Sequence, residues 1–268
     1  MNTTKSSATL RFLEQHEVFT LAEYLSTVDV AVSERTRYTN LQNAAHRDQA
    51  YRIKRGLYAS NIGVYRDKVP NVFLVASKAA DSAVLSHHSA LEAHGVAHSP
   101  LRSVYFTSEH KTSPFEVRGY RFRRVIPPIV SELGASLEQY TTRVRAGDVL
   151  VPVTTKERTL VDCARDIRLA GGLEELLRSL GGFTSMSAAG VEEYARLVGS
   201  PTIRARVGWV MELFGESWGT DTGLLERMRR DLGRGTYRLL PGAPEQEFVA
   251  RWRLYVPSGL PYEEWARG

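Results

Sequence analysis

From residue 9 the apolar positions fall at helical spacing. Leu10, Leu13 and, across the next turn, Val18 lie near one face of a helix over 9–16. Thr20 followed three residues later by Glu23 spells a capping box, which opens a second helix over 21–26. Leu21, Ala22, Tyr24 and Leu25 are its expected buried side. A short connection, 27–32, leads to Ser33, which can cap a third helix running to about Arg47. On that helix Glu34, Tyr38, Leu41 and Ala45 share one side, and the last three suit burial. Ser33, Thr36, Asn40, Asn43 and Arg47 share the other. Residues 51–58 then alternate and turn at Gly56, a two-stranded hairpin with Ile53 and Leu57 packing back on the helices. Two short amphipathic helices, a polar third helix and a basic hairpin predict a winged helix-turn-helix over residues 1–66.

The pattern beyond it predicts a larger mixed body, 67–268, and an α+β fold class for the whole. A buried strand is expected over 71–77 and a helix over 81–94, with Val84, Leu85, Ala90 and Leu91 apolar and Gly95 as its stop. Short apolar or alternating runs at 104–107, 115–117, 120–126 and 149–153 suggest a mixed sheet in the part spanning about 67–153. Gly119 marks a hairpin there, and Pro127-Pro128 ends the third run. The part from about 154 to 235 reads as mainly helical. Thr154 or Thr155 caps a helix to 166, and further helices follow over 169–180, 188–197, 203–214 and 222–231. Terminal strands are expected within about 236–257, over 237–240 and 248–256, where Trp252, Leu254 and Val256 alternate onto one face.

Charge sharpens the first region more than the second. The chain has 268 residues, 43% of them apolar, enough for two or three cores. Its net charge of +5 is uneven: residues 33–66 hold seven Lys/Arg against two Asp/Glu, whereas 151–268 hold sixteen of each. A phosphate-backbone binder needs such a local excess. The single cysteine, Cys163, excludes an intrachain disulfide and fits a reducing compartment. The longest apolar run, 72–76, is of strand length, and the first eight residues lack an apolar signal core. A soluble cytoplasmic, nucleoid-associated protein with no membrane partner is therefore expected.

Short polar and amide side chains on the third helix suit hydrogen bonding to base edges in a major groove. Ser33, Thr36, Arg37 and Asn40, in its N-terminal half, are favoured for base contact over Asn43 and Arg47. Arg35 and Arg37 flank this face for phosphate clamping, and Arg52, Lys54 and Arg55 on the hairpin suit backbone or minor groove. The body carries no comparable chemistry. Ser86-His87-His88 and His94 lack metal-ligand spacing and a nucleophile elbow, and His87, Leu91 and His94 share a helix face suited to packing. Cys163 reads as a buried inert thiol, and Gly171-Gly172 and Gly181-Gly182 as helix terminators. Asp162, Asp166, Glu174 and Glu175 read as salt-bridging or partner-facing acids. No catalytic residue, metal or cofactor is assigned.

Several segments in order carry a family likeness. Lys54-Arg55-Gly56-Leu57-Tyr58 closes the head. Val84-Leu85-Ser86-His87-His88-Ser89-Ala90-Leu91 runs into His94-Gly95-Val96, and Thr155-Lys156-Glu157-Arg158-Thr159-Leu160-Val161-Asp162-Cys163 is followed by Ala170-Gly171-Gly172-Leu173-Glu174-Glu175. Arg206-Val207-Gly208-Trp209-Val210-Met211-Glu212 and Trp252-Arg253-Leu254-Tyr255-Val256 complete the series. The chain resembles the AbiEi family of antitoxins and transcriptional regulators of bacterial abortive-infection toxin–antitoxin operons. The resemblance implies a head that binds inverted repeats in its own promoter and represses the operon. It implies a body, 67–268, that counteracts a co-encoded nucleotidyltransferase-like toxin through residues the sequence does not identify; that body, expressed alone, is expected still to relieve toxicity. The competing class is an enzyme, nucleic-acid-processing or toxin-modifying, guided by the same head. A protein–protein adaptor is the third reading.

Overall fold

A computed structural model describes residues 8–128 and 137–267. The segment read for a signal core lies mostly in 1–7, outside the described residues. The fold is mixed α and β, with helices and three separate sheets. No helix among the described residues is long and apolar enough to cross a membrane.

The first region runs α1 (Ala8–Gln15), β1 (Val18–Thr20), α2 (Leu21–Thr27), α3 (Glu34–His46), β2 (Ala50–Lys54) and β3 (Leu57–Ser60). Its strands form one antiparallel sheet in the order β1-β3-β2. The capping box starts α2: Glu23 N–H donates to Thr20 Oγ1 at 3.1 Å, and Thr20 N–H to Glu23 Oε2 at 2.7 Å. Ser33 caps α3, accepting from Thr36 N–H at 3.2 Å. Gly56, at φ +79°, turns β2 into β3, a conformation that favours glycine. Three burial expectations differ from the structure. Ile53 and Leu57 pack against the body rather than back on the helices. Ala22 is exposed, leaving Tyr24 as the one fully buried residue of α2. On α3 the buried positions are Arg37, Leu41 and Ala44, and Tyr38 is 42% exposed. The helix is thus turned by roughly 60° from the face the apolar pattern suggests, at 100° per residue. The cause is Arg37, drawn inward by carbonyl groups described below.

The middle region comprises α4 (Val72–Ser77), β4 (Val84–Leu85), α5 (His88–Ala93), β5 (Ser103–Thr107), β6 (Phe115–Val117), β7 (Tyr120–Val125), β8 (Thr141–Ala146) and β9 (Val149–Thr154). They build a six-stranded mixed sheet in the order β6-β7-β5-β4-β9-β8. The strand expected over 71–77 is the helix α4, because the Asn71 side chain accepts from the N–H groups of Phe73 and Leu74. A short apolar run fits either state; the cap decides. The helix expected over 81–94 is interrupted by left-handed backbone at Ser82 and His87, φ +56° and +53°, with β4 between them. β8 has no counterpart in the hydrophobic pattern: Thr141-Thr142-Arg143-Val144-Arg145-Ala146 has few apolar residues, yet pairs along its whole length with β9.

The remainder holds α6 (Lys156–Arg165), α7 (Leu173–Gly181), α8 (Ala188–Val198), α9 (Pro201–Leu213), α10 (Gly215–Trp218) and α11 (Thr222–Arg230). After these come β10 (Tyr237–Arg238), β11 (Gln246–Val249), β12 (Leu254–Pro257) and α12 (Tyr262–Arg267). Thr155 is the cap of α6, accepting from Arg158 N–H at 3.3 Å. The helix expected over 169–180 is a 3₁₀ turn, Ile167–Ala170, followed by α7. The single strand expected over 248–256 is two strands, separated by a 3₁₀ turn and a left-handed Arg253 at φ +50°. Trp252 in that turn is fully buried against Gly208 of α9, where an added Cβ would lie 2.1 Å from the indole ring.

Three cores result. One joins the helices from α5 onward with the terminal sheet, and one lies under α1–α3. The third belongs to two regions at once: Val18, Leu57 and Ala59 of the head pack with Val75, Ala76, Leu85, Val104 and Phe106 of the body. The head sheet is therefore covered on both faces, and β3 is buried throughout.

Candidate nucleic-acid interface

Arg35, Thr39, Gln42 and His46 lie opposite the buried face of α3, by the helical repeat of 3.6 residues. Thr36 and Asn43 flank them. Asn40 and Arg47 lie further round, lining with Asp29 and Ala8–Leu10 a groove of about 270 Å³ beside α1. Ser33, Arg35, Thr36, Asn40, Asn43 and Arg47 are all exposed. Not all are equally available. The Ser33 and Thr36 hydroxyls share a hydrogen bond of 2.9 Å in the cap, and Thr39 Oγ1 donates to the Arg35 carbonyl at 2.9 Å. Arg35 and Arg47 enter no ion pair among the described residues, and neither do Arg52 and Arg55 of the hairpin.

Buried Tyr58 joins the hairpin to α3 beneath this surface. Arg52 stands directly across from Tyr58 in the β2–β3 register. Burial pushes the Tyr58 phenol up, with Tyr38 and the opposing pull of the Arg52 guanidinium as lesser influences. Tyr38, Gln42, Tyr58 and Arg52 thus connect the outer side of α3 to the exposed side of β2. Thr39, Gln42 and His46 escape the sequence pattern because Tyr38 and Ala45 set the wrong phase for the helix. Leu41 and Ala44 alone give the right one.

Two expected contact residues belong elsewhere. Arg37 is 7% exposed, and its Nη1 donates to the carbonyl oxygens of Leu25 and Val28, the latter at 3.4 Å. It satisfies the C-terminal end of α2, where a cation also complements the helix dipole, and so cannot reach bases or phosphates. The Arg37 carbonyl in turn accepts from Tyr24 Oη at 3.1 Å. Lys54 is half-buried; its Nζ donates to the Ala79 carbonyl at 2.5 Å and lies 5.5 Å from the Phe115 ring. Burial lowers its pKa. It fastens the hairpin to the body, as does Arg118 over the Tyr51 ring at 5.2 Å, while the 2.6 Å Glu23–Lys78 ion pair and the bond from Asn71 N–H to Glu17 Oε1 at 2.7 Å tie the rest of the head to it. Arg55 lines the resulting cleft of about 820 Å³ with Lys78, His110 and Lys111.

The body residues weighed for chemistry are engaged in structure. His88 Nε2 meets Glu175 Oε1 at 3.2 Å, and Nδ1 lies 3.7 Å from Glu92. Burial opposes its charge, but the two carboxylates outweigh that and raise its pKa. His94 Nε2 donates to the Thr154 carbonyl at 2.8 Å, a packing role. His87 precedes α5 rather than sharing its face; it is fully buried, 3.1 Å from Ser86 Oγ, and burial pushes its pKa down. Asp162, Asp166, Glu174 and Glu175 pair with Arg158, Arg168, Arg178 and His88 respectively. Asp162 is buried and also accepts from Tyr194 Oη at 3.4 Å. Cys163 is buried, and burial raises its pKa well above the ordinary thiol value. Among the described residues no three His, Cys, Asp or Glu side chains are grouped to hold a metal ion.

No family model matches the chain, and no curated protein matches it. Among solved structures, the RV2827C protein from Mycobacterium tuberculosis is similar in fold, with a TM-score of 0.64 at 14% sequence identity. The match covers 93% of this chain and 90% of that one, so the likeness extends across head and body together.

Proposed function

We propose that residues 8–66 form a winged helix that binds duplex DNA, and that the chain is a repressor and antitoxin of the AbiEi type. The observation that carries the DNA-binding reading is the outward side of α3 with the adjoining strand: Arg35, Thr39, Asn43, Arg47 and Arg52 are exposed and include no acid. The element order α1-β1-α2-α3-β2-β3, with its β1-β3-β2 sheet, supports the winged-helix assignment. In this reading α3 enters a major groove, Thr36, Asn40 and Asn43 meet base edges, and Arg35, Arg47 and Arg52 meet phosphates. Arg55 contributes from the hairpin tip. The operator is an inverted repeat in the chain's own promoter. The AbiEi-like segments running from Lys54 to Val256 support a body that counteracts a co-encoded nucleotidyltransferase-like toxin.

The test is titration of a promoter fragment with the full chain over a range of salt. Arg35→Ala, Arg47→Ala and Arg52→Ala are each expected to weaken binding and to reduce the magnitude of the salt slope by about 0.9 for each phosphate no longer neutralised. Asn40→Ala and Asn43→Ala are expected to lose preference for the operator over unrelated duplex. Unaltered binding in all three arginine variants would sink the assignment of the interface. For the second half of the proposal, co-expression with the product of the neighbouring nucleotidyltransferase-like reading frame should restore growth; continued toxicity rejects the antitoxin role.

A further inference from the structure

The neutral C-terminal half conceals a local concentration of arginine. Residues 227–253 carry seven Arg against three Asp/Glu. The structure brings part of this segment onto the outer face of the terminal sheet β10-β12-β11. Arg238, Tyr255 and Phe248 stand in one row across its three strands, Arg238 opposite Tyr255 and Tyr255 opposite Phe248. The Arg238 guanidinium lies 5.5 Å from the Tyr255 ring, and the two rings are 4.9 Å apart, tilted by 43°. Phe248 is 46% exposed, so its ring face is open to solvent beside Tyr255. Alternation places Glu247 on the opposite side from this row, paired with the buried Val256. Arg234 and Arg238 are exposed and enter no ion pair among the described residues.

We propose that this face binds single-stranded nucleic acid, with unpaired bases stacking on Phe248 and Tyr255 and Arg238 meeting the phosphate chain. The chemistry favours that occupant over a protein segment. An exposed ring beside a guanidinium offers a π-face to any base and a cation to the phosphate next to it, and it requires no sequence readout. A duplex keeps its bases stacked internally and cannot use the rings. The site lies on a different sheet from the head and works independently of it, so its fate does not depend on the reading given to α3.

The experiment measures fluorescence anisotropy of labelled oligothymidylate and oligouridylate with the full chain carrying Arg35→Ala, Arg47→Ala and Arg52→Ala, which removes the proposed duplex contacts. That protein is expected to retain single-strand binding at low salt. Adding Phe248→Ala should weaken it by about tenfold, Phe248→Trp should preserve it, and Arg238→Ala should lower both affinity and salt slope. Comparison of the two oligomers separates RNA from DNA as the natural strand, through contacts to the 2′-hydroxyl. In the otherwise wild-type chain, Phe248→Ala should leave duplex binding unchanged. Absence of single-strand binding overturns the proposal, as does binding insensitive to both Phe248→Ala and Arg238→Ala. A fall in self-association on Phe248→Ala, with oligonucleotide binding intact, also overturns it and assigns the face to pairing along the β11 edge.

Discussion

The two sides of the head are built from the same residue types and treat them in opposite ways. On the outer side, Arg35, Arg47 and Arg52 project without an ion pair among the described residues. On the inner side, Lys54 is engaged by the Ala79 carbonyl and Arg37 by the end of α2. The difference shows that a basic segment is not a basic surface. Of the cations between 33 and 66, those that hold carbonyl groups contribute to folding, and those left in solvent are available to a polyanion. Direct contact with phosphate falls to the second set alone, since the first has its donors committed to carbonyl groups.

The largest effect that could break this comparison lies in the core the two regions share. Leu57→Ala removes a buried side chain packed against the body, and it is expected to cost about 2–5 kcal/mol. Head and body should then lose stability together in calorimetry; a shifted head transition beside an unshifted body transition would show that the common core is not cooperative. For the same reason the fragment 67–268 is expected to aggregate when expressed alone, because it uncovers Val75, Ala76 and Leu85.

Arg37→Ala comes next, at about 1–3 kcal/mol, from carbonyl groups at the end of α2 left without their donor. Urea unfolding should register this, whereas Arg35→Ala should leave the midpoint where it was. A variant at Arg37 that folds as well as the parent and loses only DNA affinity would restore it to the outer surface.

Glu23→Gln is smaller, about 0.5–2 kcal/mol, since it weakens both the capping box and the Lys78 pair. Its pH dependence is signed. Burial pushes the Glu23 carboxyl up, but the Lys78 ammonium and the Thr20 N–H pull harder, so its pKa sits below the ordinary 4.5. The ionised form is therefore favoured by folding. Its contribution is present above the unfolded value and lost as pH falls through the folded one. His88 has the opposite sign. Its raised pKa contributes stability fully below the unfolded 6.5, which is lost as pH rises through the higher folded value. Acid and alkaline limbs of a stability profile should respond to Glu23→Gln and His88→Gln respectively. The smallest expected effect on stability, within about 0.5 kcal/mol, is for Arg47→Ala, an exposed surface residue.

Much of the head was legible because its signals are local. A capping box, a serine cap and a glycine turn each depend on residues a few positions apart, and all three occur where the sequence places them. The body yielded less. Residues 71–77 are apolar enough for a strand, and only the Asn71 side chain bonding Phe73 and Leu74 makes them a helix. β8 has little hydrophobic signal, because much of what stabilises it is its pairing with β9. Much of the candidate surface was legible: Ser33, Arg35, Thr36, Asn40, Asn43, Arg47, Arg52 and Arg55 are exposed, Arg37 and Lys54 are held in the fold, and Thr39 and His46 join the outward side of α3.

Local chemistry along the chain accounts for where the head caps, turns and breaks, which stretch carries excess positive charge, and the mixed α and β composition of the fold. Each of those follows from side chains acting on backbone nearby, or from simple counts. Long-range packing settles which cations stay in solvent, that the head sheet is sealed against the body, and that Arg238, Tyr255 and Phe248 form one row. Burial and cross-strand register depend on residues far apart in the chain. A guanidinium turns inward when carbonyl groups on another element need a donor, and no periodicity along its own helix records that need.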